Sequence, residues 1–195
     1  MSRNCSPPGE RTRHPPSGHP TFPVRRPKSS VDRALGAGAF MSASGSSYIA
    51  TAHTREDGTS VATVKRTEIP FDSSPIQGDV LPGPADLLTA AFAACMLKNV
   101  ERFGQILLFD WRHASVEVCS ERQDAPPMIT TIHYRLTVVT DETAQRVDLL
   151  HRNLTRHGTI FNTLAAACTV TGEIIAQATT SADLAIDGSA NDPQP

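Results

Sequence analysis

The sequence predicts an α+β domain in which antiparallel strands surround one buried helix, and three observations carry that expectation. The stretch from Gly83 to Gly104 has no charge between Leu87 and Leu97, and its apolar residues run all the way round a helix rather than along one stripe. Strand-like runs come as a meander ahead of that helix and as a hairpin behind it. A second, one-sided helical pattern follows from Thr140 to Gly158, before a last strand.

The helix is justified at both ends. Pro84 suits a first helical position, where its missing N–H is not needed, and Asp86 in the first turn complements the positive end of the dipole. Gly104 fits just past the far end, giving a helix over 84–103, about 30 Å long. Its unbroken apolar length falls short of the roughly 20 residues a membrane span needs, so protein must bury it. One small domain with one meander and one hairpin covers such a helix poorly. A second copy supplying the missing cover is therefore expected.

The flanking elements follow from period and punctuation. Ser47–Thr54 and Thr59–Thr67 are β-branched runs around Arg55-Glu56-Asp57-Gly58, a hairpin signal. Ile69-Pro70-Phe71 and the segment from Pro75 to Pro82 read as a loop, too rich in proline for a central strand. After Gly104 and an apolar link from Ile106 to Phe109, Ala114, Val116 and Val118 alternate with Glu117, Cys119 and Glu121. Ile132, Tyr134, Leu136 and Val138 alternate with Thr131, His133, Arg135 and Thr137 in the next run. With the Pro126-Pro127 connector this is an antiparallel hairpin with one solvated face, on which Cys119 reads as incidental. The second helix is expected from Thr140-Asp141-Glu142, with Ala144, Val147, Leu150 and Leu154 as its apolar stripe, and is closed by His157-Gly158. A short helix near 162–166 and a strand over 169–178 finish the domain.

Composition bounds the function. With 195 residues the chain holds one domain plus tails, read here as a tail over 1–42, a domain over 43–180 and a frayed end over 181–195. Residues 1–42 hold seven of the fifteen prolines, all within the first 27, and too few apolar residues to offset their ordering entropy. Disorder is expected there. The segment reads as a basic tail, as a transit peptide (against which the prolines argue), or as sequence ahead of a true start at Met41. A net charge of −2 and a pI near 6.4 leave no footprint for nucleic acid, although residues 1–33 carry seven Lys/Arg against two acids. The cysteines Cys5, Cys95, Cys119 and Cys168 show no Cys-x-x-Cys, arguing against a zinc site and a disulfide scaffold. His113, His133, His151 and His157 match no ligand spacing and are read as surface residues. No cofactor, metal or membrane partner is expected. No apolar run resembles a signal peptide or membrane anchor, which makes the cytoplasm the expected location.

Cys95 stands in the third turn of the buried helix, beyond reach of the dipole at its start, and taken alone would be an ordinary buried thiol. Yet Pro84-x-x-Leu87-Leu88-x-Ala90, a small-residue run into Cys95, the Phe103-Gly104 exit, two strands, an amphipathic helix and Asn162-Thr163-Leu164 resemble the OsmC/Ohr family of thiol-dependent peroxidases over roughly residues 47–178. The resemblance implies an OsmC-like fold, an intertwined homodimer with the cysteine helices at its centre, and a peroxidatic role for Cys95. Its thiolate would reduce an organic hydroperoxide and become a sulfenic acid, in an oxidative stress response. In the family an Arg from the opening meander lowers the thiol pKa, and Arg55 is the candidate for it; alone, Arg55 reads equally as a solvated turn residue.

Two departures from the family stand out. Its Glu, ten residues before the cysteine, is here Ala85, and Asp86 beside it lies about 180° round the helix from Cys95. The second family cysteine, four residues before the Asn of Asn-Thr-Leu, is here Gly158; Cys168 stands ten residues later and would need its Cα within about 7 Å to pair with Cys95. Two functions are therefore expected: a hydroperoxide reductase working with Cys95 alone and an external thiol reductant, or a catalytically degenerate relative binding a small apolar molecule at the dimer interface.

Overall fold

The computed structural model describes residues 45–57, 59–76, 78 and 80–180; the two expected tails lie outside the described residues. Nine elements follow in order: β1 (Ala50–Thr54), β2 (Thr59–Val64), β3 (Thr67–Asp72), α1 (Pro84–Leu107), β4 (His113–Asp124), β5 (Pro127–Val139), α2 (Ala144–His157), α3 (Thr159–Ala165) and β6 (Thr169–Gln177). They form two three-stranded sheets, β1-β2-β3 and β4-β5-β6. The α+β class expected from the sequence is the class observed.

The first sheet is wholly antiparallel and adds a strand the sequence reading missed. β3 pairs with β2 along its length, with Pro70 opposite Val61. Proline is excluded from central strands because it lacks an N–H, but β3 is an outer strand with one free edge, where that lack is harmless. The β2–β3 turn forces Lys65 to a φ of 56°, a left-handed conformation uncommon for a side-chain-bearing residue. At the β1–β2 turn, Asp57 Oδ1 accepts from the Thr59 N–H at 2.9 Å and the Thr59 hydroxyl at 2.6 Å.

Helix α1 begins where expected, with Asp86 Oδ2 accepting from the Gly83 N–H at 2.8 Å. It does not stop at Gly104. The helix continues to Leu107 and ends through Leu108 in the left-handed conformation, φ 50°. Gly104 serves packing: a Cβ there would stand 2.6 Å from Trp111 Nε1. The freed carbonyls at the helix end find a cation, since Arg146 Nη2 donates to Leu107 O at 2.9 Å and to Leu108 O at 2.7 Å.

Burial of α1 on every side, expected from its composition, is not what the single chain provides. Phe92, Met96, Asn99, Val100, Phe103 and Gly104 form one buried stripe, whereas Ala90, Ala91 and Ala94 are exposed and Leu88 and Leu97 are 37% and 36% exposed. The second sheet and the two later helices lie against one side of α1, and among the described residues nothing covers the opposite face.

The second sheet and the helices make the core. β4 and β5 pair antiparallel, with a register shift at Glu121/Arg122, and β6 joins β5 in parallel after the α2–α3 crossover. Ile132, Tyr134, Leu136 and Val138 of β5 meet Phe92, Met96 and Val100 of α1 and Val147, Leu150 and Leu154 of α2 in one cluster. Each fully buried side chain of this size contributes about 1.5–3 kcal/mol. On the other face of the sheet Arg135 pairs with Glu173 at 2.8 Å and His133 meets Thr171 at 3.2 Å, as the alternation requires. Cys119, expected on this solvated face, is half-buried.

Helix α2 starts at Ala144, later than its acidic approach suggested. Thr140 and Glu142 are otherwise engaged: the buried Thr140 hydroxyl donates to Asp110 O at 2.5 Å, while Glu142 accepts from the Asp110 N–H at 3.0 Å and from Arg146 Nε at 2.7 Å. The connection after α1 is thereby fastened to the start of α2. The third helix begins at Thr159, three residues ahead of the expected start near 162. By contrast, among the described residues β1–β3 pack chiefly upon one another, with no comparable packing against the helices or the second sheet.

Candidate active site around Cys95

Cys95 lies at the edge of the buried stripe of α1. At 100° per residue it is one turn from Ala91, two from Leu88 and one from Asn99, so exposed apolar residues flank it on one side and the core on the other. It is half-buried and free. Its nearest polar contact is Asn99, which is only 7% exposed. Asn99 Nδ2 donates to Cys95 O at 2.9 Å and to Cys95 Sγ at 3.5 Å. The carbonyl contact fixes the amide orientation, because only the nitrogen end can donate to it.

The place of the second family cysteine closes on the same spot. Gly158 is buried at the α2–α3 junction, and a Cβ added to it would meet Asn99 Nδ2 at 3.4 Å, Leu154 O at 2.9 Å and Phe161 Cβ at 2.9 Å. Position 158 therefore adjoins Cys95 through the Asn99 amide, but it is packed too tightly for a side chain. Cys168, in the turn between α3 and β6, is also free; its thiol donates to Leu164 O at 3.3 Å, and burial raises its pKa.

The remaining expected residues are placed as follows. Ala85 is exposed in the first turn of α1, and the Asp86 carboxylate beside it is engaged with the Gly83 N–H. Arg55 is exposed at the β1–β2 turn, its N–H donating to Thr59 O at 2.9 Å. Among the described residues it makes no hydrogen bond or ion pair with Cys95, so one chain does not bring the two together. His113 and His157 are exposed, His157 stacking on Phe103 at 5.4 Å between centroids, whereas His151 departs from the surface reading: it is half-buried and its Nε2 meets the Tyr134 hydroxyl at 2.7 Å. Burial pushes the Tyr134 phenol up to about 12 and lowers the pKa of His151, against the opposing charge of Asp148. Among the described residues no group of three or more His, Cys, Asp or Glu converges as a metal site. No described helix is long and apolar enough to cross a membrane.

Asn99 is the participant the sequence reading missed. Its one signal is a polar residue of modest helix propensity between apolar neighbours, four positions after the cysteine.

An α+β domain with a free thiol midway along its central helix defines a class of protein, and comparison identifies its family. Residues 77–173 match the family model described as OsmC-like protein. An OsmC-like protein from Mycoplasma pneumoniae shares the fold at 16% identity and a TM-score of 0.61, over 69% of this chain and 99% of that one. An OsmC-like protein of unknown function from Vibrio cholerae matches at 15% identity and a TM-score of 0.58, over 67% and 100%. An organic hydroperoxide resistance protein from Elizabethkingia anophelis matches at 11% identity and a TM-score of 0.56, over 68% and 99%. Among curated proteins nothing matches. The chain belongs to the OsmC-like family.

Proposed function

We propose that the protein is a thiol-dependent reductase of organic hydroperoxides that uses Cys95 as its single peroxidatic cysteine and acts as a homodimer. The observation that carries this reading is the position of Cys95: a free thiol with a hydrogen-bond donor on its core side and exposed apolar surface from Leu88, Ala91 and Ala94 on the other. That surface suits the organic part of a hydroperoxide, and a second copy would enclose it. Arg55, exposed at the β1–β2 turn and making no hydrogen bond or ion pair with Cys95 among the described residues, is assigned to the thiol of the opposite subunit.

The chemistry balances with two thiols. The Cys95 thiolate attacks the terminal oxygen of the hydroperoxide, the O–O bond breaks, and the alkoxide leaves and takes a proton from water; the sulfur is left as a sulfenic acid. One external thiol condenses with it, releasing water and forming a mixed disulfide. A second external thiol then attacks that disulfide, returning Cys95 and leaving the reductant oxidised. The tight packing at Gly158 leaves no room for a resolving cysteine at that position, which favours an external reductant.

The rival reading is a degenerate family member that binds a small apolar molecule on the same surface, favoured by Ala85 and Gly158 at the family's Glu and cysteine positions. One experiment separates them. With one equivalent of cumene hydroperoxide, the reductase yields a sulfenic acid trapped at Cys95 by a dimedone reagent and no intramolecular disulfide. Cys95→Ser loses the trapping, Arg55→Ala slows it, and Cys168→Ser leaves it unchanged. No consumption of peroxide by the intact protein would decide for the binding module.

A further inference from the structure

A buried polar side chain inside an apolar helix calls for a reason, because it forgoes water and fits the helix less well than Ala or Leu. Asn99 is 7% exposed, and one nitrogen supplies both of its hydrogen bonds, to Cys95 O at 2.9 Å and to Cys95 Sγ at 3.5 Å. The carbonyl bond alone is a local back-bond along the helix and explains no chemistry. The sulfur contact does, because a neutral thiol accepts weakly and a thiolate strongly, so a donor fixed at the sulfur favours the charged form.

The surroundings hold that donor in place. The amide abuts Gly158: a Cβ built there would meet Nδ2 at 3.4 Å, an ordinary contact, and would crowd Leu154 O and Phe161 Cβ at 2.9 Å. The amide thus lies between Cys95 and the position at which family members carry their second cysteine.

We propose that Asn99 is a residue of the reacting site, holding the Cys95 sulfur through its side-chain N–H and favouring the thiolate. This rests on the reading of Cys95 as the nucleophile but is tested without peroxide. It requires no charged group from a second chain.

The test is the pH dependence of Cys95 alkylation by iodoacetamide, followed by mass spectrometry of the Cys95 peptide in the full-length protein. Asn99→Leu keeps the volume and removes the donor; its alkylation midpoint should rise by about one pH unit, a tenfold smaller thiolate fraction at neutral pH. Asn99→Ala, which suits a helix and removes the same donor, should shift it in the same direction. A purely structural Asn99 would leave the midpoint where it is in whichever variant folds, and that result overturns the proposal. A measurement on the unsubstituted protein covers the case in which neither folds: the Asn99 side-chain amide resonances should move with pH at the alkylation midpoint, and resonances that stay fixed through it overturn the proposal. Peroxide consumption is assayed separately. A shifted midpoint without peroxide turnover leaves Asn99 in its role and removes the reductase reading; turnover with an unshifted midpoint does the reverse.

Discussion

Gly172 of β6 lies against Tyr134 of β5 with no space between them: a Cβ built on Gly172 would run into the Tyr134 ring and carbonyl. The two are register partners in the parallel pair, and the Tyr134 ring packs against Phe92 and Phe161 on its other sides. Gly172→Ala must displace either the ring or the strand. A loss of about 1–3 kcal/mol is expected, the usual cost of overpacking. Urea denaturation measures it, and an unchanged midpoint would contradict this packing.

His151 predicts a pH dependence of stability. Burial lowers its pKa below the ordinary value of about 6.5, with Asp148 opposing. The unfolded chain then takes up a proton on acidification before the folded chain does. Stability is therefore lost as pH falls through about 6.5 toward the folded value, and is fully present above it. Thermal melts from pH 7.5 to 5 should show that fall, and His151→Gln should flatten it. A variant that keeps the slope would assign it to other groups.

Arg146 closes the end of α1 with two hydrogen bonds while pairing with Glu142. Arg146→Met should cost about 1–2 kcal/mol, toward the lower end of charge-assisted bonds because the guanidinium is partly exposed. Arg146→Lys should recover only part of it, since an ammonium lacks the fork that reaches Leu107 O, Leu108 O and Glu142 together. Equal stability of Lys and Met variants would mean that the fork geometry is irrelevant.

The uncovered face of α1 predicts association. At micromolar concentration the protein should sediment as a dimer, and Leu97→Glu, a charge placed on that face, should yield monomers or soluble aggregates. A well-behaved monomer from the unsubstituted chain would remove the shared-site picture, Arg55 included.

These tests also mark where the sequence was readable. Strict alternation located β4 and β5, and a one-sided stripe located α2, because period and burial agree there. Pro70 misled because proline forbids only central strands, and strand order is a tertiary fact absent from local sequence. Gly104 misled similarly: its lack of a Cβ serves Trp111, seven residues on, rather than helix termination. The all-round apolar character of α1 was legible as composition, and so was the inadequacy of one small domain to cover it; which side of the helix would stay open was not. Cys95 was legible through a motif, whereas Asn99 was hidden because a single Asn in a helix carries no pattern. Arg55 could be named but not joined to Cys95, since among the described residues no hydrogen bond or ion pair links the β1–β2 turn to the thiol.

The sparse packing of β1–β3 against the rest of the described residues has a consequence for how much protein a cell must hold. A sheet of three strands depends on covering its apolar face, and on the proposed reading Arg55 rides on that sheet while Cys95 rides on α1. Dilution would then separate the two halves of a site without altering either, and turnover per molecule would decline below the dissociation constant. Dose would arm the thiol: a sparse pool of chains would tolerate peroxide untouched, and a surge in synthesis would switch on clearance more steeply than in proportion to the number of chains made.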